Sequence, residues 1–250
     1  MSVIITIIKI IIILGFLILI HEAGHFLVAR LCKIKVNEFA IGFGPLIWSK
    51  ETEKTKYSIR LIPLGGYVNM LGEDERSEEE GSFSNASIPK RIAIVAAGGL
   101  VNIIFAIILF IIVATIITGN FVTAINGAGN FIMSMVESIK LIFTGGVTVD
   151  DLMGPIGISE VVAQTSGVID FLYIMALVSM SLGVTNLLPF PPLDGGKILI
   201  YIIEWIRKKP LKENFELKLQ MVGFLVLITL SVYVAFNDVS NWGQTPIAVL

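Results

Sequence analysis

Residues 3–31 read VIITIIKIIIILGFLILIHEAGHFLVARL, and this stretch decides in which solvent the chain folds. Through Ile20 its one charge is Lys9. A helix rising 1.5 Å per residue needs about 20 apolar residues to cross a hydrocarbon core of about 30 Å, and the run meets that length. It then carries His21, Glu22 and His25 before it ends. An ionised side chain held in hydrocarbon costs at least about 2.5–3.5 kcal/mol, so a compensating ion or a water-filled pocket is expected beside these three groups.

The rest of the chain agrees with the bilayer as solvent. Of 250 residues, 55% are hydrophobic and 15% charged, and the mean hydropathy of +0.86 is too high for an ordinary soluble domain. Four stretches approach spanning length, about 3–31, 92–117, 169–188 and 221–236. The first is expected to be a retained span. Its start, MSVIITIIK, lacks a basic region before the apolar run, and no small-residue cleavage pattern follows. The expected fold is a membrane all-α bundle of about four transmembrane helices with a small cytoplasmic-side β-hairpin or sheet, forming one polytopic domain over 1–250.

Lys and Arg accumulate on the cytoplasmic side of membrane proteins. Of the 18 in this chain, ten lie from Arg30 to Arg91 and six from Lys197 to Lys218, leaving Lys9 and Lys140. This distribution predicts a multi-pass protein of the cell (inner, cytoplasmic) membrane with both termini outside. The 32–90 and 190–218 connections fall in the cytoplasm and 119–167 outside. The expected partner is the lipid bilayer; a net charge of −2 offers no argument for nucleic acid, and none is expected. The single Cys32 excludes an internal disulfide and reads as a small hydrophobe at the end of the first span.

Between the spans the character changes. Over about 39–70 the apolar pattern shifts toward period two, with Tyr57, Ile59 and Leu61 alternating with Ser58 and Arg60, and a polar KETEKTK turn joins two candidate strands. The next stretch, GEDERSEEEGSFSNAS, carries six acids and reads as a solvated linker. Phe131, Ile132, Met135, Val136, Ile139, Ile142 and Phe143 follow helical spacing, predicting an amphipathic helix over about 131–143 at the outer interface. Residues 237–250 read as an irregular outer tail.

The chemistry centres on HEAGH. Positions i and i+4 share a helical face, so His21 and His25 can present ring nitrogens to one ion. Glu22 points about 100° round the helix, where it can reach an activated water without filling the coordination sphere, as a general base does. The bland alternative is a pair of histidines hydrogen-bonding between helices. A catalytic zinc ordinarily has three protein ligands and one open position, so a third donor is needed. The search for it leads to NLLPFPPLDGGK at 186–197, where three prolines must break the third span, just before Asp194. Both this break and HEAGH are expected at the cytoplasmic ends of their spans. Asp194 can equally cap a helix or open a turn.

Taken together, HEAGH at 21–25, GFGP at 42–45, IPLGGYVNMLGE at 62–73, AAGGLVN at 96–102, GPIGI at 154–158 and NLLPFPPLDGG at 186–196 resemble the site-2 protease family of intramembrane zinc metalloproteases. The resemblance spans nearly the whole chain. It implies one zinc ion per chain, held by His21, His25 and Asp194. Glu22 would be the catalytic acid and base, with Asn186 a second catalytic-site residue in contact with substrate or transition state. Locally, Asn186 can also be an Asn that holds helices together. Two departures stand out. Gly99 replaces a proline common in relatives, and residues 119–130 are too few for the PDZ modules that many bacterial relatives carry after the second span.

The implied substrates are single-span membrane proteins. Their peptide bonds are locked in the i to i−4 ladder, so a segment must unwind, and the 39–70 hairpin can offer it a strand edge. The competing reading is a zinc or proton transporter using the same intramembrane residues, which gives no reason for Glu22 to follow His21 directly. Other polar residues in the spans, Asn102, Thr115, Ser179, Ser181 and Thr185, read as glue between helices.

Overall fold

The computed structural model describes residues 3–73, 75–146 and 152–241. In chain order the elements are α1 (Val3–Leu31), β1 (Val36–Glu51), β2 (Lys56–Met70), α2 (Ile88–Thr118), α3 (Phe121–Thr144), α4 (Pro155–Gln164), α5 (Val168–Asn186), α6 (Asp194–Arg207) and α7 (Glu213–Ser240). Four of these helices, α1, α2, α5 and α7, are long and apolar enough to cross a membrane. With a two-stranded antiparallel sheet among the described residues, this is the expected fold class.

Element limits differ from the sequence reading where composition masked periodicity. The fourth span, expected over 221–236, is α7 from Glu213, because the polar ENFELKLQ turns before Met221 are helical but not hydrophobic. The outer helix, expected over 131–143, begins at Phe121 instead. Asn120 caps it by accepting from Val122 N (2.9 Å) and Thr123 N (3.1 Å), a local signal the apolar spacing does not carry. The third span stops at Asn186 rather than 188, where the backbone turns. Of the expected irregular tail, 237–240 is helical, and 242–250 lie outside the described residues.

The chain folds into two compact units. One comprises Ile11–Ile103 and Ser181–Phe224. Its core gathers Ala29, Ile34, Val36, Met70, Phe83, Ile94, Val95, Ile200 and Tyr201. Phe83 belongs to the acidic stretch read as a solvated linker, yet it is 2% exposed. Its backbone N–H donates to Leu71 O (2.7 Å), and Gly81 O accepts from Lys35 N (2.9 Å). One aromatic with a core to enter outweighs the charge around it. Arg91 lies 3.9 Å over the Tyr201 ring and pairs with the buried Glu204 at 3.2 Å, tying the start of α2 to α6.

The sheet of this unit bends on itself. Residues 46–51 pair with 56–60, and 36–41 pair with 66–70, with register shifts between them. Gly42 (φ +86°) and Gly65 (φ +112°) sit at the bends in backbone conformations that side chains rarely adopt. Glu38 holds the fold-over together, accepting from Ser58 Oγ (2.6 Å), Tyr67 Oη (2.9 Å) and Arg60 Nη2 (3.0 Å). Burial pushes the Glu38 carboxyl up, but these three donors and the Arg60 charge outweigh it and hold the group below the ordinary carboxylate range. Phe43, Leu46, Ile47, Trp48, Leu61 and Ile62 are all exposed at the tip.

The other unit comprises Met1–Ile10, Ile104–Met180 and Leu225–Leu250. Phe110 and Phe131 stack with centroids 4.6 Å apart, packing α3 on α2. Lys9 donates to Thr165 O (2.9 Å) and Oγ1 (2.7 Å), which satisfies the one charge of the opening apolar run. GPIGI starts α4, with Gly154 as N-cap and Pro155 at its first position. The Asp238 carboxylate accepts from Gly157 N (2.8 Å) at that positive helix end.

Candidate metal centre

HEAGH lies inside α1 although Gly24 is a poor helix former, and that glycine has a packing task. A Cβ at Gly24 would lie 2.7 Å from Ala97 O, and one at Gly98 would lie 2.4 Å from His25 Nε2 and 2.7 Å from His21 Cε1. α1 and α2 thus meet backbone to backbone, and the two imidazoles lie over the bare Gly98. Gly99 serves the next approach: its Cβ would meet Gly183 O at 2.8 Å, and one at Gly183 would meet Gly99 O at 2.6 Å. The glycine in place of a proline marks close approach of α2 and α5.

Asp194 reaches the histidines because the chain breaks after Asn186. Residues 187–193 fold as turns with Pro189, Pro191 and Pro192, and α6 restarts at Asp194. A Cβ at Gly195 would fall 2.2 Å from Leu188 O, so only glycine lets α6 begin this close to the turn. The result places Asp194 Oδ2 3.2 Å from His21 Nε2 and 3.4 Å from His25 Nε2, with the two Nε2 atoms 3.1 Å apart. One donor atom from each of the three lies within 4.8 Å of the others. Asp194 Oδ2 is fully buried and makes no well-aligned hydrogen bond despite both nearby nitrogens. Three donors gathered at this spacing could hold a single cation between them.

The outer atoms of the rings are also engaged. His25 Nδ1 lies 2.9 Å from Ile94 O, and since a carbonyl can only accept, Nδ1 carries a proton, which in the neutral ring leaves the lone pair on Nε2. His21 Nδ1 faces the fully buried Asn102 amide at 3.5 Å. By sequence Asn102 reads as glue between helices; its place beside His21 shows that it also orients a candidate ligand. The pointer in the sequence was its position at the end of AAGGLVN.

Glu22 lines the same cavity of about 150 Å³, together with Val68 and Met70 from β2, Val95 from α2, and a pair that sequence reasoning missed, Glu73 and Lys197. Lys197 Nζ donates to Glu73 Oε1 at 2.9 Å. Burial by itself lowers the Lys197 ammonium, but the Glu73 carboxylate more than compensates and holds it above its ordinary range. Burial likewise raises Asp194, and the imidazoles of His21 and His25 beside it hold it well below the usual carboxylate range. The signal for Lys197 was its spacing from Asp194, three residues along one helix face. Asn186, the last residue of α5, is half-buried and is not among the cavity's lining residues.

Inferred zinc metalloproteases of Clostridium acetobutylicum (29% identical, covering 90% of this chain and 94% of the relative) and Fusobacterium nucleatum (28%, covering 92% and 97%) match along their length. The first alignment runs over 320 positions, more than the 250 residues present here, so that relative carries internal residues this chain lacks. The regulator of sigma-E protease RseP of Escherichia coli is 52% identical over 102 residues, covering 38% of this chain and 22% of that protein. The model of peptidase family M50 matches residues 9–230. With nearly the whole chain matched, its cluster of candidate metal donors and its broken third span have a common explanation: the chain belongs to peptidase family M50, the site-2 protease family.

Proposed function

We propose that this M50 metalloendopeptidase hydrolyses peptide bonds within or near transmembrane segments of other membrane proteins, using one zinc ion held by His21, His25 and Asp194. The observation that carries the reading is the convergence of three buried donors, with Asp194 Oδ2 lacking a well-aligned hydrogen bond, in the cavity that Glu22 also lines. Zinc bound there supplies Lewis acidity toward the scissile carbonyl and lowers the pKa of a water toward about 7.

The chain's own residues do the rest. Glu22 takes the proton of the attacking water on its carboxylate and returns it to the amine nitrogen as the C–N bond breaks. The His25 hydrogen bond to Ile94 O and the Asn102 amide beside His21 fix the ring orientations, so no reorganisation is needed during reaction. Asn186 contacts bound substrate.

A transmembrane helix must unwind before any of its peptide bonds is accessible. Val68 and Met70 wall the cavity, so a segment laid as a strand along β2 arrives beside Glu22 with its backbone groups paired. The exposed apolar side chains of the sheet tip suit contact with lipid or with that segment. The clustering of basic residues supports an orientation with both termini outside and the cavity near the cytoplasmic face.

The test is incubation of the purified chain with a single-span membrane protein, comparing wild type, Glu22→Gln and a chelated sample, with zinc measured in each. We expect Glu22→Gln to keep zinc and lose about 10²–10⁴-fold in rate. Cleavage by the Gln variant at the wild-type rate contradicts the assigned mechanism, and ion flux without cleavage would establish a transporter instead.

A further inference from the structure

We propose that the groove between the C-terminal end of α1 and the turn joining β1 to β2 binds the phosphate headgroup of an anionic phospholipid. The groove has a volume of about 770 Å³ and is lined by five cations, Arg30, Lys33, Lys35, Lys54 and Lys56, against two carboxylates, Glu51 and Glu53. Its floor is built. Arg30, in the last turn of α1, donates to Thr55 Oγ1 at 3.4 Å, and Thr55, 3% exposed, sits in the turn of the hairpin. Helix end and hairpin turn are thereby joined beneath the open face.

Three of the five cations are not consumed by the described residues. Lys35 pairs with Glu79 at 3.6 Å, but among the described residues the ammonium groups of Lys33, Lys54 and Lys56 have no ion pair or hydrogen bond. Lys33 adds an independent observation, since it holds φ +64° just past the end of α1. Glycine or asparagine is the usual residue at that position, because a side chain there is strained. A lysine at a strained position is better explained by what its ammonium does than by backbone preference.

Position selects the ligand class. α1 is a spanning helix that ends at Leu31, so the groove at its end lies at headgroup depth. Immediately before it, Leu27 and Leu31 are 57% and 81% exposed. A phosphate joined to acyl chains satisfies both the ammonium groups and this bare apolar surface, whereas a soluble phosphate satisfies only the first. Each Lys or Arg near an anionic surface is worth roughly a fivefold gain in association, less as salt rises.

The experiment reconstitutes the full chain in phosphatidylcholine bilayers. Association of spin-labelled phosphatidylglycerol is measured relative to spin-labelled phosphatidylcholine for wild type, for Lys33→Gln/Lys54→Gln/Lys56→Gln, and for a control of equal charge change, Lys208→Gln/Lys209→Gln/Lys212→Gln. We expect wild type and control to prefer phosphatidylglycerol severalfold and the first triple variant to lose that preference, with inorganic phosphate at matched ionic strength displacing little of the lipid. Full retention of the preference in the first variant, or equal loss in both, would overturn the site. Displacement by inorganic phosphate would assign the groove to a soluble anion and overturn the lipid reading.

Discussion

A single methyl group at Gly98 should weaken zinc binding at the candidate metal centre. The Cβ of Gly98→Ala would stand 2.4 Å from His25 Nε2 and 2.7 Å from both His21 Cε1 and His25 Cε1, where ordinary van der Waals contact begins near 3.4 Å. About 1 Å must be found somewhere. The His25 ring cannot swing aside without losing its 2.9 Å hydrogen bond to Ile94 O. Nor can α2 recoil freely, because Gly24 rests on Ala97 O on one side and Gly99 on Gly183 on the other. The displacement therefore falls on the Nε2 atoms of the candidate ligands. Loss of ligand orientation typically costs 10–100-fold in metal affinity, about 1.4–2.8 kcal/mol, and a misplacement of 1 Å can cost about 10²-fold in rate. The assay is zinc stoichiometry after dialysis against graded chelator, alongside kcat/KM for a membrane substrate. The control is Gly129→Ala in α3, where an added Cβ meets nothing within 4 Å. Retention of zinc and rate by Gly98→Ala would show that the donors do not occupy the proposed arrangement. Zinc retained with cleavage lost would show the methyl obstructing substrate instead of ligand.

Two other sites offer equally direct checks. Lys197 and Glu73 are only 27% and 17% exposed, so Lys197→Met strands the Glu73 carboxylate beside Glu22 and Asp194. It should destabilise by more than the ~0–1 kcal/mol of a surface pair but less than the ~3–5 kcal/mol of a fully buried one. Lys197→Met/Glu73→Gln should recover part of that loss in thermal unfolding, and simple additivity of the two single losses would show that the pair is not coupled. Glu38 gives the pH dependence of the sheet. Its folded-state pKa lies below the ordinary 4.5, so its stabilising contribution is complete above that value and disappears as pH falls through the folded-state value. Emission from Trp48, with Trp205 and Trp242 replaced by Phe, should report an acid transition that Glu38→Gln abolishes; an identical transition in that variant would contradict the role given to Glu38.

The primary structure is legible where the physics is local. Length and hydrophobicity of the opening run identify a spanning helix, because the bilayer sets a minimum number of apolar residues regardless of neighbours. The i, i+4 spacing places His21 and His25 on one face, because helix geometry fixes their angle. The prolines before Asp194 announce a break in the third span, since proline cannot complete the ladder. Periodicity failed where polar residues continue a helix, at 213–220, and where one buried aromatic, Phe83, anchors an acidic stretch. What no local rule could supply is which distant groups meet. Asp194 against two imidazoles, Gly98 beneath them, Asn102 at the outer nitrogen of His21, and Lys197 against Glu73 all depend on how elements distant in the chain pack. Such an approach is a sum over many side-chain volumes along both partners, and chain order does not contain it until the chain has packed.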